Sequence, residues 1–174
     1  MQDKRQFKRV GDVLILDLIG EGNFSKVHRG LRDVGKGNPQ EVAVKIIRKS
    51  TSHTSIVEKE IEILKQINHP NIVNFISNYN TVNNTYIVTE FCQRGSFRSL
   101  IEGLGPRFRL PEKEAKNYFR QICLGVQELF KNGIVHRDIK LDNIFITRDF
   151  QIKIGDFGFA KSFSNESLLM SFKG

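Results

Sequence analysis

The stretch His136-Arg137-Asp138-Ile139-Lys140-Leu141-Asp142-Asn143 decides the fold of this sequence, together with Asp156-Phe157-Gly158, which lies thirteen residues beyond Asn143. The first stretch follows a segment with helical periodicity, and the second follows two short apolar runs that predict a hairpin. Both therefore read as loops at the ends of regular elements, where side chains from distant positions can converge. Together they bring carboxylates, an amide and a lysine to one region of the fold.

These residue types match one kind of chemistry. Transfer of a phosphoryl group to a hydroxyl requires a carboxylate near the incoming oxygen, cations around the phosphate, and oxygen ligands for Mg²⁺. Asp138, Lys140, Asn143 and Asp156 supply that set. Both motifs occur in this order behind a lysine-bearing strand, and chance rarely produces such an arrangement. The pattern favours phosphoryl transfer over a purely structural role.

Lys45 stands in an almost wholly apolar strand, Val42-Ala43-Val44-Lys45-Ile46-Ile47. Burying an ammonium group is costly unless a carboxylate pairs with it. The helix predicted at 55–67 offers Glu60 on its apolar face, whereas Glu58 and Glu62 point elsewhere. The apolar residues of that face are Ile56, Ile63, Leu64 and Ile67. We predict an ion pair between Lys45 and Glu60; the alternative is two surface residues whose charged ends reach water.

A glycine-containing turn runs through Gly20-Glu21-Gly22-Asn23-Phe24-Ser25-Lys26-Val27. Two glycines one residue apart let a backbone approach a phosphate and direct N–H groups towards it. An ordinary hairpin turn is the alternative. A dinucleotide-binding fingerprint would open a helix at this point. The residues after Ser25 read as a strand instead, which disfavours a dinucleotide fold.

The order of regular elements predicts an α+β protein in two parts. Strand-like runs cover 13–19, 25–31, 41–47, 72–77 and 86–91. Apolar residues recur every three or four positions from Ala115 to Phe130, which predicts a long amphipathic helix that ends at Asn132-Gly133. The short runs 144–146 and 152–154 predict a hairpin. Strands with one helix thus come first, and a long helix with a hairpin comes second.

Composition excludes several classes of protein. The chain has 174 residues with a net charge of +8, but its basic residues are scattered, so a solvated basic surface is favoured over nucleic-acid binding. No apolar run reaches the roughly 18–20 residues of a membrane span. Cys92 and Cys123 are the only cysteines and form no CxxC pair, which favours a reducing, cytoplasmic setting. The oligomeric state is left open.

With these motifs the sequence resembles the eukaryotic-type protein kinase superfamily, serine/threonine class. The resemblance implies a two-lobed α+β fold, with a small β-rich lobe at 1–91, a hinge at 92–94, and the first part of a helical lobe at 95–174. It implies ATP and Mg²⁺ as cofactors and a protein substrate with a Ser or Thr acceptor. The subfamily looks similar to the Unc-51-like or calmodulin-kinase-like groups.

The resemblance also implies roles for single residues. Ile19 to Val27 looks like the glycine-rich loop over ATP, with Ser25 in place of a frequent third glycine. Lys45, held by Glu60, would bind the α- and β-phosphates. Asp138 would accept or orient the substrate hydroxyl proton, with Lys140 beside it, and Asn143 and Asp156 would hold Mg²⁺. The full set implied to bind the cofactor is Ile19, Gly20, Glu21, Gly22, Asn23, Phe24, Ser25, Lys26, Val27, Ala43, Lys45, Thr89, Glu90, Cys92 and Phe145.

Further expectations concern the second half. The family pattern continues beyond Gly174 to an Ala-Pro-Glu motif and more helices, so we expect an incomplete kinase domain with a partly uncovered apolar surface on the long helix. An inactive nucleotide- or partner-binding fragment is the alternative function. The resemblance also implies a stacked hydrophobic column of Leu64, Phe75, His136 and Phe157. Ser162, Ser164, Ser167 and Ser171 read as ordinary solvated residues rather than regulatory sites.

Overall fold

The computed structural model describes residues 8–22, 25–35, 37–49, 54–105 and 109–163. The chain divides into two compact units: one combines 1–54 with 75–91, and the other combines 55–74 with 92–174. The predicted serines at 164, 167 and 171, and the loop residues Asn23 and Phe24, lie outside the described residues.

The described residues of the first unit form an antiparallel six-stranded sheet. Its strands are β1 Arg9–Val10, β2 Val13–Glu21, β3 Ser25–Arg32, β4 Gln40–Arg48, β5 Phe75–Asn80 and β6 Asn84–Glu90. The order across the sheet is β1-β2-β3-β4-β6-β5. Alternating side chains bury one face around Val13, Ile15, Val42, Val44, Tyr86 and Val88. This period of two is the pattern of a half-buried strand.

The described part of the second unit contains three helices: α1 Thr54–Gln66, α2 Phe97–Gly103 and α3 Glu112–Lys131. Ser96 caps α2, its hydroxyl accepting a hydrogen bond from the Ser99 N–H at 3.2 Å. At the end of α3, Asn132 is the C-cap and Gly133 adopts φ 66°, as the Asn-Gly pair predicts. None of the helices among the described residues has the length and apolar character of a membrane span.

Short strands and one 3-10 turn are the other regular elements among the described residues of the second unit. The strands are β7 Ile134–Val135, β8 Ile144–Ile146, β9 Ile152–Ile154 and β10 Lys161–Ser162, and the 3-10 turn is Leu141–Asn143. β8 and β9 form the predicted hairpin, with Ile144 opposite Ile154. β10 pairs antiparallel with β7, so the segment after Phe157 is held beside the end of α3.

Asn71 joins three parts of this second unit. Its side-chain amide donates hydrogen bonds to the Gln121 side chain on α3 and to the Ile152 carbonyl on β9, at 3.2 and 3.0 Å. Its own carbonyl accepts the Ile154 N–H at 2.9 Å. Asn71 is buried, so these bonds satisfy polar groups that water does not reach. The hairpin is thereby fixed to α3.

Two local predictions are wrong. The run at 72–77 begins as a strand only at Phe75, because Ile72 forms a single parallel bridge with Ile154 instead. Ile56 is 49% exposed, whereas Val57 and Ile61 share the buried face of α1 with Glu60. The other predicted residues of this face, Glu60, Ile63, Leu64 and Ile67, are buried as expected.

The apolar surface of α3 is partly exposed, as expected. Tyr118 and Leu129 are buried, but Phe119 is 67% exposed and Phe130 is 59% exposed. Phe163 contacts Phe130 at one end, with ring centroids 5.4 Å apart. Two large aromatic rings of α3 are therefore exposed to solvent.

Candidate active site

The strand register of the first unit brings several predicted cofactor residues to one face of the sheet. Val27 is the pairing partner of both Gly20 and Lys45, and Lys45 also pairs with Ile87. Residues directly opposite each other in a ladder point to the same face. Gly20, Val27, Lys45 and Ile87 therefore form one row across four strands.

A second row lies two residues away on the same face. Ala43 pairs with Thr89 on β6, and Thr89 pairs with Phe75 on β5. Because Ala43 and Lys45 are two positions apart in β4, both rows face the same way. This is the face opposite to the Val42 and Val44 core. The predicted set of Val27, Ala43, Lys45 and Thr89 is thus brought together by pairing alone.

The glycine-containing turn links β2 to β3. The Gly22 N–H donates to the Ser25 carbonyl at 2.8 Å, and Lys26 pairs with Glu21 at 3.1 Å across the hairpin. A Cβ added at Gly22 would meet nothing closer than the Ser25 hydroxyl at 3.4 Å, and one at Gly20 nothing closer than 3.7 Å. Contacts within the described residues therefore do not require glycine at either position. Ile19, before the turn, is exposed.

The residues that follow the sheet are placed by their local backbone. Glu90 ends β6 opposite Val42. Cys92 is buried in the second unit, and its carbonyl accepts the Gly95 N–H at 3.1 Å. Phe145 on β8 is half-buried, bridges to Ser96, and lies so close to Gly155 that a Cβ there would stand 2.8 Å from its ring.

Asp138 is the centre of the second group of predicted residues. Its Oδ2 accepts a hydrogen bond from the Lys140 ammonium at 2.8 Å and another from the Asn143 side-chain amide, also at 2.8 Å. In the described part of the chain no hydrogen bond reaches Oδ1. One carboxylate oxygen is therefore anchored, and the other can accept a hydrogen bond from outside.

Asn143 is buried and its orientation is fixed. Its amide nitrogen donates to both the carbonyl oxygen and Oδ2 of Asp138, at 2.9 and 2.8 Å. With the nitrogen used in this way, the side-chain oxygen is the atom that can ligate a cation. Amide and carboxylate oxygens are the ligands that Mg²⁺ accepts, usually few from the protein and the rest from water and phosphates. The chemistry of Asn143 and Asp156 fits Mg²⁺. No cluster of three His, Cys, Asp or Glu side chains suited to a metal occurs among the described residues.

Gly155 connects the Asp156 segment to the Asp138 loop. The Gly155 N–H donates to the Asn143 carbonyl at 2.9 Å, and the Gly155 carbonyl is 2.9 Å from Nε2 of His136. Because His136 Nδ1 accepts the Asp138 N–H at 3.3 Å, Nε2 carries the proton and donates. The imidazole also packs edge-on against Phe157, at 4.9 Å between ring centroids. One neutral histidine thus holds both loops.

Two non-glycine residues at this site have left-handed backbone conformations. Arg137 has φ 65° and Asp156 has φ 56°. Such conformations cost about 1–3 kcal/mol each and concentrate at functional sites. Arg137 is held there by its Nε, which donates to the Phe159 carbonyl at 2.7 Å.

The charges of the loop stabilise one protonation state. The hydrogen bond from Lys140 is the main reason that the pKa of the Asp138 carboxyl lies below its usual value. The same bond raises the pKa of Lys140. Burial lowers the pKa of His136, which keeps the imidazole neutral. At neutral pH the loop therefore presents a carboxylate, an ammonium and a neutral imidazole.

Glu60 lies on the buried face of α1 and is only 5% exposed, while Glu58 and Glu62 are exposed, as predicted. Lys45 belongs to the first unit and Glu60 to the second. Their ion pair stays a prediction. The stacked column of Leu64, Phe75, His136 and Phe157 also stays a prediction; of its contacts, the packing of His136 against Phe157 is the one described above.

The sequence reasoning missed Ile87, Arg98 and α2 as a whole. Ile87 is buried beside Lys45 in the sheet, which only the strand register reveals. Arg98 on α2 donates to Asp142, one residue before Asn143, at 2.7 Å. The Gly95-Ser96 pair, a turn glycine before a capping serine, is the signal that could have predicted α2.

Comparison of the sequence with known proteins shows the family to which the chain belongs. Residues 14–174 match the model of the protein kinase domain. The chain is 40% identical over 156 residues to the Hormonally up-regulated neu tumor-associated kinase homolog of Xenopus tropicalis, covering 87% of this chain and 22% of that protein. It is 37% identical over 164 residues to the human Hormonally up-regulated neu tumor-associated kinase, covering 91% and 22%. It is also 37% identical over 155 residues to Cell division control protein 7 of Schizosaccharomyces pombe, covering 87% and 14%.

The chain therefore spans about a fifth of these relatives' length, or less. The match over 14–174 confirms the predicted α+β fold class of protein kinase type. It agrees with the ordered motifs, the lysine-bearing strand and the anchored carboxylate. The chain belongs to the protein kinase domain family.

Proposed function

We propose that the protein transfers the γ-phosphoryl group of Mg-ATP to serine or threonine hydroxyls of protein substrates. The observation that carries the proposal is the division of Asp138 into an anchored Oδ2 and an open Oδ1. An open carboxylate oxygen can accept the hydrogen bond of an incoming hydroxyl and orient its oxygen for attack. Lys140, two residues further on, supports the serine/threonine class, because a lysine at this position is typical of the kinases of that class.

Residues of the first unit are proposed to bind the nucleotide. Neither Gly20 nor Gly22 is required by contacts within the described chain, which leaves close approach by a phosphate as a physical reason for glycine. Lys45, in the same row as Gly20 and Val27, supplies a cation for the α- and β-phosphates. The half-buried face around Ala43 and Thr89 suits an adenine ring.

Asn143 and Asp156 are proposed to hold Mg²⁺ through side-chain oxygens. When bound, the ion neutralises charge on the phosphate oxygens. The protein's own part is to keep these ligands in place. Asn143 is held by Asp138, and Asp156 follows Gly155, which is bonded to both Asn143 and His136.

The remaining assignments are proposals of the same kind. We retain a β-rich lobe at 1–91, a hinge at 92–94 and a helical lobe from 95. A cytoplasmic setting and a protein substrate, with no nucleic-acid partner, accompany the proposed reaction.

The test is transfer of labelled phosphate from Mg-ATP to a generic serine- and threonine-containing protein, using the natural polypeptide that contains these residues. We expect transfer that disappears in Asp138→Asn and is retained in Asp149→Asn, a matched carboxylate change in the exposed turn of the hairpin. Transfer undiminished in Asp138→Asn would refute the role of Asp138. Binding of ATP without transfer would support the alternative, a nucleotide-binding module.

A further inference from the structure

We propose that Arg98 on α2 is a positioning residue, which holds the Asp142 carboxylate and thereby fixes Asn143 in the geometry needed for the cation. The catalytic part of this inference rests on the proposed function, because it is Asn143 that would ligate Mg²⁺. The structural part, a tether from α2 to the 3-10 turn, stands independently.

The contact between the two residues is short and charge-assisted. Nε of Arg98 donates to Oδ1 of Asp142 at 2.7 Å, across 44 positions of sequence. Both side chains are about half exposed, at 47% and 43%. The second carboxylate near Arg98, that of Glu102, is 3.7 Å away on the same helix. Asp142 is therefore the closer partner.

Arg98 is presented by a helix that is itself fixed. The hydroxyl of Ser96 caps the first turn, and Ser96 bridges to Phe145 on β8. Phe97 is buried and packs edge-on against Tyr118 of α3, with ring centroids 5.2 Å apart. Arg98, which contacts Asp142, thus directly follows Phe97, which is fixed by its packing against α3.

Asp142 transmits this anchor to Asn143 through the tight 3-10 turn that contains both. Within the turn the Asn143 N–H donates to the Lys140 carbonyl at 3.0 Å. The Asn143 carbonyl accepts the Gly155 N–H, and its side chain donates to Asp138. A shift of the turn would therefore displace the amide oxygen, the Asp138 anchor and the Asp156 segment together.

The ionisation of the pair is consistent with this role. The hydrogen bond to Arg98 lowers the pKa of the Asp142 carboxyl, and the same bond raises the pKa of Arg98. Exposed ion pairs contribute little to global stability. The effect that we expect is accordingly local, on the order and position of the turn.

The first experiment measures amide hydrogen exchange at Asn143 and Gly155, whose N–H groups report the turn. We expect roughly two- to fivefold faster exchange in Arg98→Gln than in the unchanged protein. Glu102→Gln is the matched control, since it removes the more distant partner and leaves the Asp142 contact in place. Exchange in Arg98→Gln equal to that in the control would overturn the tether, whether or not phosphoryl transfer is found.

The second experiment measures phosphoryl transfer against Mg²⁺ concentration. We expect Arg98→Gln to need about two- to fivefold more Mg²⁺ for half-maximal rate, with Glu102→Gln unchanged. The exchanged pair Arg98→Asp with Asp142→Arg should restore both readouts most of the way. An unchanged Mg²⁺ requirement in Arg98→Gln would overturn the positioning role. Absence of transfer in the unchanged protein would refute the proposed function, and the exchange comparison would still decide the tether.

Discussion

His136 donates the proton on Nε2 to the carbonyl oxygen of Gly155, 2.9 Å away and nineteen positions later in the chain. Through this bond a single buried imidazole holds the segment that carries Asp156 to the loop that carries Asp138. A second bond, from the Asp138 N–H to Nδ1 of the same ring, requires a neutral imidazole. Protonation would place a hydrogen on Nδ1 and remove that acceptor.

The first prediction concerns the pH dependence of stability. Burial lowers the pKa of His136 below its usual 6.5, so the unfolded chain takes up this proton more readily than the folded protein. The contribution of neutral His136 is therefore present above about pH 6.5 and is lost as the pH falls through the folded pKa. We expect the free energy of unfolding, measured in urea, to decrease between pH 7.5 and pH 5.

The variant His136→Phe separates this effect from those of other groups. It should lower stability at pH 7.5 by about 1–3 kcal/mol, because the buried Gly155 carbonyl loses its partner. The slope of stability against pH should become smaller than in the unchanged protein. An equally steep slope in His136→Phe would show that other groups cause the pH dependence.

The second prediction concerns the close approach of α3 to Asn71. A Cβ added at Gly125 would lie 2.7 Å from the Ile154 side chain and 2.9 Å from the Asn71 carbonyl oxygen. That carbonyl is fixed by the Ile154 N–H and cannot move freely. We expect Gly125→Ala to lower the free energy of unfolding by about 1–3 kcal/mol. Gly103→Ala in α2, where a Cβ would meet no atom of the described residues within 4 Å, should be neutral or slightly stabilising.

The third prediction distinguishes the glycines of the first unit. Gly22→Ala should leave thermal stability nearly unchanged, since the nearest described atom to an added Cβ is the Ser25 hydroxyl, at an ordinary contact distance of 3.4 Å. It should raise the KM for ATP, because the added methyl group would obstruct the close approach of a phosphate. Gly30→Ala should do the reverse, because its Cβ would press on Val13, Val44 and the Leu14 carbonyl at 3.0–3.1 Å. Equal effects of both variants on KM would contradict phosphate binding at the turn.

The fourth prediction concerns the ionisation of Asp138. Its pKa is lowered chiefly by the hydrogen bond from Lys140, so Lys140→Met should raise that pKa. The acid limb of the profile of kcat/KM against pH should then move to higher pH. Lys116→Met, which breaks the exposed pair with Glu112 on α3, serves as the control and should leave the acid limb in place. An acid limb that does not move in Lys140→Met would assign it to a different group.

Strong local patterns made much of the fold predictable. The long helix spans Glu112–Lys131 because its apolar spacing and the Asn132-Gly133 stop agree, and the hairpin of β8 and β9 is where its isoleucines predicted it. The prediction failed where a residue distant in sequence determines the local structure. Ile72 has the composition of a strand residue, but its bridge to Ile154 depends on a segment 82 positions away.

The residues around Asp138 could be named from the sequence. Fewer of the contacts that hold them in place could be predicted. Asp138, Asn143 and Gly155 are connected as adjacent motifs suggest. The contribution of α2 was missed because a helix of seven residues has little periodicity to recognise, and the Gly95-Ser96 pair is the one local signal for its start. Ile87 was missed for a similar reason, since only the register of β4 and β6 aligns it with Lys45.

The hydrogen bonds to one oxygen of Asp138 make the two oxygens of its carboxylate inequivalent. A carboxylate has two equivalent ends, but Lys140 and Asn143 both point donors at the same end. An asparagine at this position would match the shape and still fail in either orientation. With its nitrogen inward, three donors would face one another, and with its nitrogen outward it would offer a hydrogen to a hydroxyl that needs an acceptor. Lys140 and Asn143 therefore favour an aspartate at position 138 through the direction of their hydrogen bonds, and Lys140 also favours it through its charge.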